Sequence, residues 1–187
     1  MTGPPRKVTP LLVLIGLLCA ALFAGPGAAT AGAAKCKGSD RPAYRISHKA
    51  ARHATLCLIN RERRSHHLRR LDSQRHQARA AADHNGRMVR RNCFSHQCPG
   101  ERDLVGRVTS AGYLPCSCSW SVAENIAWGA GAKSSPRQIV RMWMHSPPHR
   151  AAILDPRFDD IGVAVNDGSP GGPRQAATYT TDFGFKR

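Results

Sequence analysis

Three polar residues stand in apolar or constrained surroundings: His96 in NCFSHQCPGERDL (92–104), Glu124 in AENIAWG and His149 in SPPHRAAIL. A carboxylate in an apolar, strand-like run is costly unless it finds partners or keeps its proton. Glu124 is therefore expected to face His96 or His149 in one cleft; the alternative is a purely structural hydrogen-bonding acid. Glu101 lies nearer to His96 in the chain, but Glu124 has the more telling setting. His145 and His149 share the i, i+4 spacing of a helical metal pair. The intervening Ser-Pro-Pro opposes a continuous helical turn, and no Glu follows His145 to make a zincin motif. No GxSxG elbow or triad order points to a serine hydrolase. Of nine histidines, His48, His53, His66, His67, His76 and His84 lie among Arg and Lys and read as solvated helix faces. His84 is the one nearest an apolar stripe.

The elements that must position these residues follow a leader. MTGPPRK and the short apolar run Leu11 to Ala24 read as a secretory signal peptide over 1–31, with cleavage after 34 as the alternative. The run is short for a membrane span, so no transmembrane segment is expected in the mature chain. Secretion changes the meaning of the cysteines. Cys19 leaves with the leader, and Cys36, Cys57, Cys93, Cys98, Cys116 and Cys118 remain. An even set in an oxidising compartment favours disulfides over a thiolate zinc site. Cys93 and Cys98 pair with each other or with Cys57, Cys116 or Cys118. Cys116 and Cys118 are expected to take different partners, because a bridge across one residue is strained.

A polar lead-in over 32–45 precedes a single domain over 46–187. Ile46 to Ser65 reads as a helix. Asp72 is the expected cap of a second, whose Ala78, Ala81, Ala82, Asn85 and Met88 make a small apolar face. Arg102 to Ala111 is a short helix stopped by Gly112. Ser135 and Pro136 open a fourth, with Ile139, Val140 and Trp143 as its buried stripe, ended by Pro147 and Pro148. Ile161, Val163 and Val165, then Tyr179, Thr181, Phe183 and Phe185, alternate as a β-hairpin with one buried face. Helices first and a hairpin last indicate an α+β fold.

The chain carries 28 Lys and Arg, two of them in the leader, against 12 Asp and Glu. Such a field favours anionic partners: envelope polymers, phospholipid surfaces or nucleic acid. Interleaved stacking aromatics and zinc-finger spacings are absent, so no specific nucleic-acid partner is expected.

In order, LCLINRERR, ARAAADHNGRM, CFSH, AENIAWG, SSPRQIVRMWMHSPPHRAAIL and FDDIGVAV…YTTDFG resemble the CAP superfamily of cysteine-rich secretory proteins, antigen 5 and pathogenesis-related proteins, above all its bacterial secreted branch. The resemblance implies a three-layer α-β-α sandwich with a small antiparallel sheet covered by helices. It implies a cleft in which His96, Glu124 and His149 match family positions and hold, in some members, a divalent cation such as zinc. This chain departs from the family where Ser146 replaces a second acid. A weaker, more open metal site is then expected, with Asp103 or His145 as substitutes. The function implied is a secreted, monomeric binding protein for a lipid, sterol-like or anionic envelope ligand. The alternatives are a metal-assisted extracellular hydrolase using His96, His149 and Glu124, or a structural interaction module without catalysis.

Overall fold

Alternation in the last third of the chain sets the centre of the fold. In the computed structural model, which describes residues 35–114 and 119–187, β3 (Asp160–Asp167) and β4 (Ala176–Lys186) pair antiparallel. Ile161, Val163 and Val165 stand opposite Phe183, Thr181 and Tyr179. The expected leader, Cys116 and Cys118 lie outside the described residues. On its other side β4 pairs antiparallel with β2 (Trp120–Ala130), the long edge strand. A two-residue β1 (Asp72–Ser73) adds a short parallel edge beside β3, giving the order β1-β3-β4-β2.

Asp72 does not cap the second helix. Its N–H bonds Asp159 O and the N–H of Gln74 bonds Ile161 O, so the sheet edge claims the backbone through residue 74. Helix α2 (Arg75–Arg90) starts after it, capped by Gln74. The other helices are α1 (His48–Ser65), capped by Ser47, α3 (Leu104–Ser110), capped by Asp103, α4 (Pro136–Met144) and α5 (Pro147–Leu154). Pro147 and Pro148 lie beyond the end of α4 and also open α5. A proline in the first helical turn lacks only an N–H that would have no intrahelical partner.

Both faces of the hairpin are buried, not one. On the first, α1, α4 and α5 enclose the apolar core of Ile59, Ile139, Val140, Trp143, Ile153, Ile161, Tyr179 and Phe183. Trp143 is fully buried and still donates its indole N–H to Ile126 O at 3.2 Å. The second face is small and polar: Gly162, Ala164, Thr180, Asp182 and Gly184. Here α2 comes in close, because a Cβ on Gly162 would lie 2.2 Å from the backbone carbon of Gln77. The small face read on α2 serves this approach. Sheet polarity and helix proximity together make a dense polar layer, flanked by two small apolar clusters, one around Ala80, Val108, Tyr113 and Leu114 and one around Met88, Cys98 and Ile126.

Two covalent and one polar clamp complete the frame. Cys36–Cys57 ties the segment before α1 to the helix, and Cys93–Cys98 closes the turn after α2. Buried Arg63 donates to four main-chain carbonyls, those of Arg69, Ile153, Asp155 and Phe158. Residues Lys35–Arg187 thus form one compact unit, with two helical layers about a four-stranded sheet.

Candidate functional site

Glu124 lies on β2 opposite Asp182 of β4, on the sheet's polar face. Its side chain is 2% exposed. One oxygen, Oε1, lies 2.8 Å from His96 Nδ1; the other, Oε2, accepts from Arg107 Nη2 of α3 at 2.5 Å. His84 Nε2 of α2 is 3.7 Å from that second oxygen. Burial alone would push the Glu124 carboxyl up, but the His96 hydrogen bond and the charges of His84 and Arg107 hold it below its usual range. Two carboxyls side by side in a dry layer do not both ionise. Glu124 has the cations and takes the charge. Asp182 is fully buried, its oxygens have no hydrogen-bond partner among the described residues, and burial and the charge on Glu124 raise its pKa well above the ordinary value. Its carboxyl holds a proton to higher pH than an ordinary aspartate.

The loop carrying His96 is built around this pair. Cys93–Cys98 pins its ends. Arg107 Nη1 donates to His96 O at 2.8 Å, so one guanidinium fixes both the loop and the acid. Glu101, which sequence reasoning set aside in favour of Glu124, anchors the other side. Its Oε2 accepts from Cys98 N at 3.2 Å and lies 2.9 Å from His84 Nδ1. His84 itself is fully buried, correcting the solvated-face reading. Its place in register with Ala80, Ala81 and Met88 was the available signal. Arg107 and Asp182 were also missed. Arg107 is one of many arginines, and Asp182 belongs to the strand face opposite the apolar alternation.

His149, on α5, is held from β2 and from the start of its own helix. The neighbouring Asn125 points to the opposite face from Glu124 and donates to His149 O at 3.0 Å. Ser146, the N-cap of α5, bonds His149 Nδ1 through Oγ at 2.9 Å. Burial, then the charge of His96, lowers the His149 pKa. His96 and His149 therefore have Nδ1 engaged, and neither Nε2 has a hydrogen bond among the described residues. His96 is 58% exposed, and Phe94 beside it 47%. Asp103 is spent as the α3 cap, and His145 Nδ1 is turned to Arg141 O. Among the described residues no three His, Cys, Asp or Glu side chains are grouped as a metal centre requires.

Residues 56–181 match the model of the cysteine-rich secretory protein family, CAP. YkwD, an uncharacterized protein of Bacillus subtilis, is 34% identical over 114 residues, covering 60% of this chain and 41% of YkwD. The chain thus spans about two fifths of that relative's length. An extracellular Bacillus anthracis protein containing an SCP domain superposes with a TM-score of 0.58 at 25% identity, over 74% of this chain and 43% of that one. An outer surface protein of Borrelia burgdorferi gives 0.63 at 17% identity, over 76% and 97%. A Staphylococcus aureus cysteine-rich secretory protein gives 0.53 at 16% identity, over 73% and 38%. At those identities the last two speak for the fold alone.

Proposed function

Because the chain belongs to the cysteine-rich secretory protein (CAP) family, we propose that it is a secreted binding protein whose His96–His149 cleft recognises a lipid or other anionic envelope ligand. The occupation of both Glu124 oxygens carries this reading. A carboxylate held by Arg107 and His96, with its pKa lowered, is a weak general base. Its effect is to position His96. What the cleft offers a ligand is two imidazole edges and the exposed ring of Phe94. The excess of cations over acids favours anionic material at the same surface.

In this reading a divalent cation is held only loosely, by two imidazoles and water, because no third His, Cys, Asp or Glu is grouped with them among the described residues. His96 and His149 would hold it through Nε2, with water in the remaining positions, and Glu124 would orient His96 from behind. When bound, such an ion would add positive charge for a phosphate or carboxylate head group. The test is flotation with anionic phospholipid vesicles at low ionic strength, with and without added zinc. Wild type should float, and zinc should increase the bound fraction. His96→Ala/His149→Ala should lose the zinc-dependent increment while keeping its circular dichroism spectrum. Absence of wild-type binding would refute the proposal. Chelator-sensitive peptide hydrolysis that Glu124→Gln abolishes would favour the hydrolase reading instead.

A further inference from the structure

A second site lies outside the His96–His149 cleft. One stripe of α2, bearing Arg79, Asp83, Arg87 and Arg90 at helical spacing, faces the 100–102 turn and α3 across a pocket of about 510 Å³. Arg102 and Arg107 close the far wall. The site therefore gathers five guanidinium groups around two carboxylates, Asp83 and Glu101. Their pairing is uneven. Arg107 is committed to Glu124 at 2.5 Å, and Arg87 lies 3.6 Å from Glu101. Arg79, Arg90 and Arg102 are in no ion pair among the described residues.

Cations converging on a concavity are a different matter from cations scattered over a convex surface. Their fields add within the pocket more than those of cations spread over a convex surface. Guanidinium forks match the oxygens of a phosphate in bidentate geometry. The pocket is also far larger than one phosphate, and Asp83 supplies an acceptor that an anion alone would not need. We infer that this pocket binds a phosphate ester bearing hydroxyl groups, such as a glycerol phosphate or sugar phosphate unit, free or as the head group of a lipid or polymer. Arg79, Arg90 and Arg102 take the phosphate oxygens and Asp83 accepts from a hydroxyl. Glu101 and Arg107 line the pocket and are themselves held by His84 and Glu124, so a ligand here would touch the two residues that join the pocket to the polar layer.

The test is calorimetric titration of the full secreted chain with glycerol 3-phosphate, inorganic phosphate and glycerol. Glycerol 3-phosphate should bind, phosphate more weakly, and glycerol not at all. Arg79→Gln, Arg90→Gln and Arg102→Gln should each weaken binding about tenfold, as expected for loss of a charged hydrogen-bond pair. Asp83→Asn should reduce the preference for the ester over phosphate. All four side chains are exposed, so the variants should fold. A control removing three charges elsewhere, Arg64→Gln/Arg70→Gln/Arg141→Gln, should leave the affinity within about twofold, because screened surface charges contribute little at a distance. Vesicles of phosphatidylglycerol separate the sources: competition between vesicle and free ester would identify the lipid head group as a ligand of this pocket. Failure of glycerol 3-phosphate to bind, or equal weakening by the control, would overturn the inference. His96→Ala/His149→Ala should leave this binding intact, so the pocket and the cleft stand or fall separately.

Discussion

At the scale of single residues, the polar layer turns on one division of charge. Glu124 carries the negative charge that faces Arg107, while Asp182 beside it holds its proton to higher pH than an ordinary aspartate. Glu124→Gln leaves the buried Arg107 guanidinium without its counter-ion and should destabilise the fold by roughly 3–5 kcal/mol, read from urea denaturation. Asp182→Asn should do the reverse. The folded-state pKa of Asp182 lies above the ordinary 3.8, so the folded chain binds more protons than the unfolded one from that value upward. Wild-type stability attributable to Asp182 then falls as pH rises through the window and levels off above it. Asp182→Asn should match wild type near pH 3 and exceed it at pH 7; equal stability at both values would contradict a retained proton. For Glu124, lowered below its usual range, the sign is opposite. Its contribution is present at neutral pH and lost as acid protonates it, a loss that Glu124→Gln should not show.

At the scale of elements, what could be read in the chain was what depends on neighbours in sequence. The alternation of Ile161, Val163 and Val165 and of Tyr179, Thr181 and Phe183, and the α4 stripe of Ile139, Val140 and Trp143, follow from local periodicity, whereas the register between the strands does not. The strand β1 does not, because two residues become a strand only when β3 lies alongside. The polar face of the sheet was hidden for a related reason: Gly162, Asp182 and Gly184 look like interruptions until α2 is placed against them. The same holds at the site. His96 and Glu124 were visible by their settings, whereas His84, Glu101 and Arg107 act through contacts between α2, α3 and the loop. Gly162→Ala tests the close approach of α2. A Cβ against backbone has no flexible neighbour to displace, so the variant should lose about 3 kcal/mol or more and disturb the His84–Glu124 layer. Thermal unfolding and the His84 imidazole resonances would report both effects. Opening the Cys93–Cys98 turn with Cys93→Ser/Cys98→Ser should be milder globally, about 2 kcal/mol for so short a loop. It should loosen His96 most, visible as amide exchange that speeds up over 93–101 by more than the global loss of stability imposes on the rest of the chain.

At the scale of the whole molecule, the two surfaces argued above share a field set by 28 Lys and Arg against 12 Asp and Glu. Attachment to anionic vesicles should therefore weaken steeply between about 50 and 300 mM salt, as screening shortens the reach of surface charge. Cleft and pocket variants should shift that curve without removing its slope. The fold that carries this charge is held at its apolar face by Arg63, whose four carbonyl partners come from the turn after α1, the end of α5 and the approach to β3. Those segments must part together for the chain to open, since each bond shares one guanidinium and releasing one leaves the others in place. The clamp thus bears on time as well as on equilibrium. It raises the barrier to opening, and the rate of crossing that barrier decides how long a chain survives among proteases that attack only what has unfolded. Arg63, remote from any ligand, would then set the working lifetime of the protein.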